Sequence, residues 1–138
     1  MKSPEFRHPL IASDEDIDAL GHVNNVVYLR WIQDAASAHS AAVGYDMAAY
    51  RASGAAFVVR RHEIDFVRPC FAGDALEVIT WVDGWRPASS VRCSRVVRRG
   101  DDVEVARART LWAFINLETG GPARITEAVI EAFMGPRA

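Results

Sequence analysis

Apolar positions recur at helical spacing over residues 24–43, and from residue 56 onward the pattern turns strand-like. In the first stretch Leu29, Ile32, Ala36 and Val43 fall near one face, with Arg30, Gln33, Asp34 and Ser37 elsewhere. Asn24 is a suitable N-cap and Gly44 a C-terminal stop. The alanine-rich second half makes a thin helix that other backbone can approach closely, so burial against a sheet is expected. Segments 56–67, 75–85, 90–99 and 103–117 are rich in Val, Ile, Phe, Trp and Thr. Turn signals divide them: Arg68-Pro69 with Gly73-Asp74, then Arg86-Pro87, then Gly100-Asp101-Asp102. Consecutive strands with short turns predict an antiparallel meander. Residues 6–12 form a further strand candidate, which Pro9 assigns to an edge or a strand start. Residues 13–16 read as a polar turn, and 47–52 and 126–134 as short helices. The fold class is α+β, a long helix laid against an antiparallel sheet of about five or six strands.

With 138 residues, the chain has room for one core without disulfide staples, so a single domain over 1–138 is expected. Half the residues are apolar, and the formal charge of −2 argues against nucleic acid held on a basic face. No window approaches the roughly 18 apolar residues of a membrane span, and the first ten residues lack the apolar core of a signal peptide. Cys70 and Cys93 stand far apart and read as thiols of a reducing cytoplasm, not as a metal or redox pair. Four tryptophans and arginine-studded strands imply more sheet surface than one helix covers, so a homodimer or homotetramer is expected.

The chemistry concentrates before the long helix, in Asp16-Ile17-Asp18-Ala19-Leu20-Gly21-His22-Val23-Asn24-Asn25. A carboxylate beside a helix start stands next to unpaired N–H groups that stabilise a developing oxyanion, as acyl transfer requires. Asp18 is the candidate base or nucleophile, and Asn25 acts through its backbone amide. His22 takes part in catalysis or fixes the loop. Gly21 permits a tight turn near substrate, Asn24 is a cap, and Asp16 holds the loop through side-chain bonds to backbone. Tyr28 and Trp31 share a helix face and serve packing or pocket lining. No metal-ligand motif is visible and no cofactor is expected. His62 and Glu63 alternate across a strand and form no dyad, and His8 and His39 carry no signal.

The run Asp-x-Asp-x-x-Gly-His-Val-Asn-Asn-x-x-Tyr-x-x-Trp, from Asp16 to Trp31, is unbroken. Followed by a long helix and strands that include His62-Glu63-Ile64-Asp65-Phe66-Val67-Arg68-Pro69, it resembles the hotdog-fold acyl-CoA thioesterases, in particular the 4-hydroxybenzoyl-CoA thioesterase-like family. The resemblance implies a hotdog fold, its central helix wrapped by the sheet, and hydrolysis of an acyl-CoA to free acid and coenzyme A. It implies Asp18 as catalytic carboxylate, the Asn25 amide as oxyanion donor, and His22 and Asn24 as motif members. Tyr28 and Trp31 would line the acyl pocket. Arg86 matches a basic position that contacts coenzyme A in one branch. Pro87 and Ala88 replace that branch's further basic residues, leaving Ser89 and Ser90 as alternative contacts. The rival readings are an enoyl-CoA hydratase-type hotdog enzyme, using Asp18 with His22, and a non-catalytic acyl-CoA binding module.

Overall fold

The computed structural model describes residues 2–135. Strand β1 (Phe6–Ile11) leads through a single 3-10 turn (Asp14–Asp16) and the motif loop into helix α1 (Asn25–Ala42). Helix α2 (Met47–Ser53) follows, then β2 (Ala55–Phe66), β3 (Ala75–Trp85), β4 (Ser89–Arg98), β5 (Glu104–Asn116) and helix α3 (Glu127–Met134). The element types and most boundaries match the pattern of the sequence. Asn24 caps α1, its side chain accepting the Val26 N–H, and Thr126 caps α3 through Val129. The five-stranded antiparallel sheet has the order β1-β3-β4-β5-β2.

That order corrects the simple meander. Only β3, β4 and β5 follow one another; β1 pairs with β3, and β2 crosses to the far edge beside β5. Residues 67–74, with the Arg68-Pro69 and Gly73-Asp74 signals, are too long for a tight hairpin and carry the chain around the sheet end instead. Pro9 lies on the β1 edge, where its missing N–H costs no ladder bond.

Helix α1 covers one face of the sheet. Its buried residues are Val27, Tyr28, Trp31, Ile32, Ala35, Ala36 and His39, whereas Leu29 and Val43 are only half-buried. Ile32 and Ala36 thus face inward as expected, and the buried stripe takes in Tyr28, Trp31 and Ala35 in place of Leu29 and Val43. Two apolar clusters result. One, with Ile32, Leu76, Val78, Val96 and Val105, lies under the first half of α1. The other gathers Tyr50, Phe114, Val129 and Phe133 beneath α2 and α3. Several strand arginines pair with acids: Arg7 with Glu77, Arg95 and Arg107 with Glu104, and Arg109 with Asp83. Such solvent-screened pairs contribute little to stability.

Several polar side chains are also buried between α1 and the sheet. Thr80 Oγ1 lies 3.0 Å from Ser94 Oγ and 3.1 Å from the Cys93 carbonyl oxygen. Arg92 Nη1 donates to Thr80 Oγ1 at 3.0 Å and to His39 Nδ1 at 2.9 Å. The His39 ring also stacks on Phe6 and meets the Phe133 edge. Burial, reinforced by the Arg92 charge, pushes its pKa from 6.5 down to about 4. Between those values the unfolded chain binds a proton that the folded chain refuses, so stability falls as pH drops from 6.5 toward 4. The loss from this group is roughly 3 kcal/mol. Burial of His62 adds a slope of the same sign. Denaturant midpoints between pH 7 and 4.5 are therefore expected to fall, and less so in His39→Gln, which keeps an acceptor for Arg92 without the ionisation.

Candidate active site

The motif loop is closed by its own backbone. Ile17 and Val23 form an isolated antiparallel bridge, Asp18 N–H donates to the His22 carbonyl at 2.8 Å, and Gly21 N–H to the Asp18 carbonyl at 3.1 Å. Asn24 N–H reaches the Asp16 carbonyl, and Val23 N–H the carbonyl of Cys70. Asp16 is buried under this loop. Its Oδ2 accepts the Ser13 N–H, and its Oδ1 accepts Arg30 Nη2 at 2.8 Å. Burial raises the Asp16 pKa, but the Ser13 and Arg30 contacts outweigh it and hold the carboxyl below its ordinary range. Asp16 is thus the loop's anchor.

Asp18 is placed differently. Its Oδ1 accepts the amides of Leu20 at 2.9 Å and His22 at 3.3 Å, while Oδ2 has no protein partner among the described residues. One oxygen shapes the turn and the other is left without a partner among those residues, on a half-buried side chain. The turn needs Gly21, whose φ of +82° lies in the left-handed region, although a Cβ there would meet nothing within 4 Å. The glycine answers to torsion, not to space. Gly21→Ala is expected to cost about 1–2 kcal/mol, read as a lower denaturant midpoint with unchanged far-ultraviolet circular dichroism.

Two residues beyond the bridge, α1 opens at Asn25, an exposed residue whose amide has no acceptor within the helix. Asn24 binds Val26 N–H at 3.1 Å, which leaves the first turn partly free. The His22 ring packs on the edge of Phe71 with centroids 5.5 Å apart. Exposed Leu20, Val26, Phe66, Val67 and Phe71 form an apolar surround. Asp18, Gly21, His22, Asn24 and Asn25 are therefore brought together at one end of the sheet, on open surface. Tyr28 and Trp31 lie beneath, 2% and 4% exposed and edge-to-face at 5.1 Å, with Tyr28 also against Phe66. Burial raises the pKa of the Tyr28 phenol, so it stays protonated. Both are core residues at this end and line neither the cavity at the β3–β4 turn nor that under the C-terminal half of α1.

The remaining candidates sit elsewhere. Arg86, Ser89 and Ser90 gather at the β3–β4 turn, lining with Asp83 and Arg109 a shallow cavity of about 200 Å³. Gly73 N–H to Ala12 carbonyl and Ala12 N–H to Asp74 carbonyl tie the motif loop to the opposite end of β3. The 11 residues of β3 separate the two groups by about 33 Å at 3.3 Å per residue. A second cavity of about 170 Å³ lies under the C-terminal half of α1, between α2, α3 and the sheet. Its wall includes Arg92 and Trp112, which the sequence did not single out. Arg92 sits in the strand alternation Ser90, Arg92, Ser94, whose polarity reads as a solvent face. Among the described residues no group of three metal-ligating side chains occurs, and no helix is long and apolar enough to cross a membrane.

A long helix laid across one antiparallel sheet, with an acid-bearing turn at the helix start, defines the hotdog fold of thioester-processing proteins. The chain belongs to the thioesterase-like superfamily, whose family profile matches residues 13–133. Solved structures agree with that fold. A 1,4-dihydroxy-2-naphthoyl-CoA thioesterase from Synechocystis superposes with a TM-score of 0.86 at 19% identity, over 94% of this chain and 96% of that one. A probable thioesterase from Bartonella henselae gives 0.81 at 24% identity, covering 89% and 100%. A hypothetical protein from Staphylococcus aureus in complex with CoA gives 0.87 at 14%, covering 96% and 83%. No curated protein matches the chain.

Proposed function

We propose that this thioester hydrolase cleaves an acyl-CoA at the motif loop, with Asp18 as base or nucleophile and the Asn25 amide as oxyanion donor. The observation that carries the reading is the divided role of the Asp18 carboxylate. Oδ1 is held by two amides, which fixes the side chain, while Oδ2 has no partner among the described residues, on the loop that leads directly into α1. A helix N-terminus contributes roughly half a positive charge and unpaired N–H groups. A thiolate with pKa near 8.5 leaves without strong protonation, so a positioned carboxylate and an oxyanion site suffice. As base, Asp18 takes a proton from water, the oxygen adds to the acyl carbon, and the C–S bond breaks to release coenzyme A thiolate. As nucleophile, Asp18 itself adds, the same bond breaks, and water then hydrolyses the mixed anhydride. Oxygen-18 found in Asp18 after a single turnover in labelled water marks the covalent route, with water attacking the Asp18 carboxyl carbon of the anhydride and the acyl group leaving as the free acid. His22 orients the loop, Gly21 and Asn24 shape it, and the exposed apolar residues around it seat the acyl group.

The 33 Å between this loop and the Arg86 turn requires two chains if both serve one substrate. Strand β2 is an edge 12 residues long, which a soluble protein covers. Its pairing with β5 sets Phe66 at the motif end and Ala55 at the end shared with the Arg86 turn. Two copies joined through β2 about a two-fold axis run antiparallel, so the motif end of each meets the Arg86 end of the other. In that homodimer the guanidiniums of Arg86 and Arg109, with Ser89 and Ser90, form an anion site for coenzyme A phosphates. The two cysteines suit a cytoplasmic setting. Release of free thiol, followed with a thiol-reactive dye alongside enoyl absorbance, tests the assignment. Thiol without loss of an enoyl group is expected, and the reverse would mark a hydratase.

A further inference from the structure

The cavity beneath the end of α1 is built around a cation that lies over the Phe133 ring, 5.8 Å from its centroid, without an anionic partner among the described residues. Arg92 is only 5% exposed, yet it enters none of the ion pairs among the described residues. Both of its hydrogen bonds among those residues leave from Nη1, to Thr80 and His39. Neither partner carries negative charge. Burial pulls the guanidinium pKa down to about 10, still far above neutrality, so the cation persists. A guanidinium has five N–H donors in a fork that fits a carboxylate, and Nε and Nη2 remain to be satisfied.

The rest of the wall sharpens the chemistry. The Trp112 indole N–H is a buried donor without a partner among the described residues, within the wall of the same cavity. Ser40 donates to the Tyr45 carbonyl and lies 2.8 Å from the Tyr50 hydroxyl, a pair already satisfied. The one carboxylate in the lining, Asp46, belongs to an exposed residue, and its Oδ1 caps α2 through Ala49 N–H. Arg92 thus lines a space walled largely by Tyr50, Phe57, Val82, Trp85 and Phe133, with Ser37 and Ser90 also in the lining. Its 170 Å³ is close to the roughly 150 Å³ of apolar cavities that admit a benzene ring.

We propose that this cavity binds a small, largely apolar carboxylic acid of about one ring's bulk, its carboxylate on Arg92. The site is distinct from the motif loop. Along α1, Ser37 and Ser40 stand 12 and 15 residues beyond Asn25, about 18–22 Å away at 1.5 Å per residue. The ligand class is the one that thioester hydrolysis releases, so a free acid bound here would report on product.

The test uses benzoate as probe and benzamide as its neutral counterpart at constant ionic strength, read by fluorescence of the cavity tryptophans and by thermal shift. The full chain is expected to bind benzoate saturably and at least about tenfold more tightly than benzamide, with no competition from chloride. Arg92→Met is expected to lose about 10- to 100-fold in benzoate affinity, the scale of charge-assisted bonds. Replacing a buried cation by an apolar side chain is commonly tolerated. Should that variant not fold, Ala36→Leu fills the cavity with Arg92 intact and is expected to abolish binding. Asp18→Asn is expected to bind benzoate like the parent, which separates this site from the catalytic reading. Equal affinity for benzoate and benzamide, full competition by chloride, or undiminished benzoate binding in Arg92→Met or Ala36→Leu would overturn the proposal.

Discussion

Asp18→Asn is expected to lower thioester turnover by roughly 10²–10⁴-fold, the contribution of a positioned base, with the fold unchanged. The geometry explains why asparagine is the informative replacement. Oδ1 accepts the Leu20 and His22 amides, and the carbonyl oxygen of asparagine can do the same. What changes is Oδ2, which becomes an amide nitrogen that neither accepts a proton nor attacks a carbonyl. Asp18→Ala removes both oxygens and frees two loop amides, so it is expected to lose about 1–2 kcal/mol of stability as well. Kinetics and denaturation measured on both variants therefore divide the carboxylate's chemical role from its structural one. Equal loss of stability in the two, with turnover in Asp18→Asn near that of the parent, would assign the residue to the turn alone.

Val59→Pro is expected to yield a folded monomer with turnover reduced about 100-fold or more. The Leu117 N–H donates to the Gly54 carbonyl, and Ala55 stands opposite Asn116. That register turns the Val59 N–H away from β5, toward the open edge. Proline there removes no bond of the chain's own ladder but denies one to a strand added alongside. The two-fold dimer would then lose its seam, and with it the approach of the Arg86 turn to the motif loop of the other copy. Size-exclusion chromatography with light scattering gives the assembly state, and the same samples give the rate. A monomer with full activity would show that one chain holds a complete site.

The sequence carried the local structure well because its signals are local. The cap Asn24, the edge-placed Pro9 and the turn at Gly21 each state a backbone requirement within a few residues, and each appears where expected. The motif cluster was legible for the same reason: Asp18, His22 and Asn25 lie within one loop. Strand order was not, because the 67–74 connection shows only that β2 ends, not which edge it joins. The cavity was hidden by its chemistry. Along β4 the buried set Ser90, Arg92, Ser94 is the polar one, and the half-buried set Val91 and Cys93 is the apolar one. Alternation alone therefore assigns the faces backwards. His39 carried no signal because its burial depends on Arg92, Phe6 and Phe133, all remote in the chain.

The central claim is that a carboxylate and a helix start together cleave a thioester. Thiol release by the full chain across aromatic, short-chain and long-chain acyl-CoAs, with free acid quantified in parallel, tests it most directly. The account predicts stoichiometric thiol and acid from at least one of them. Saturable binding of acyl-CoA with no thiol released from any would contradict it and leave a binding module in its place.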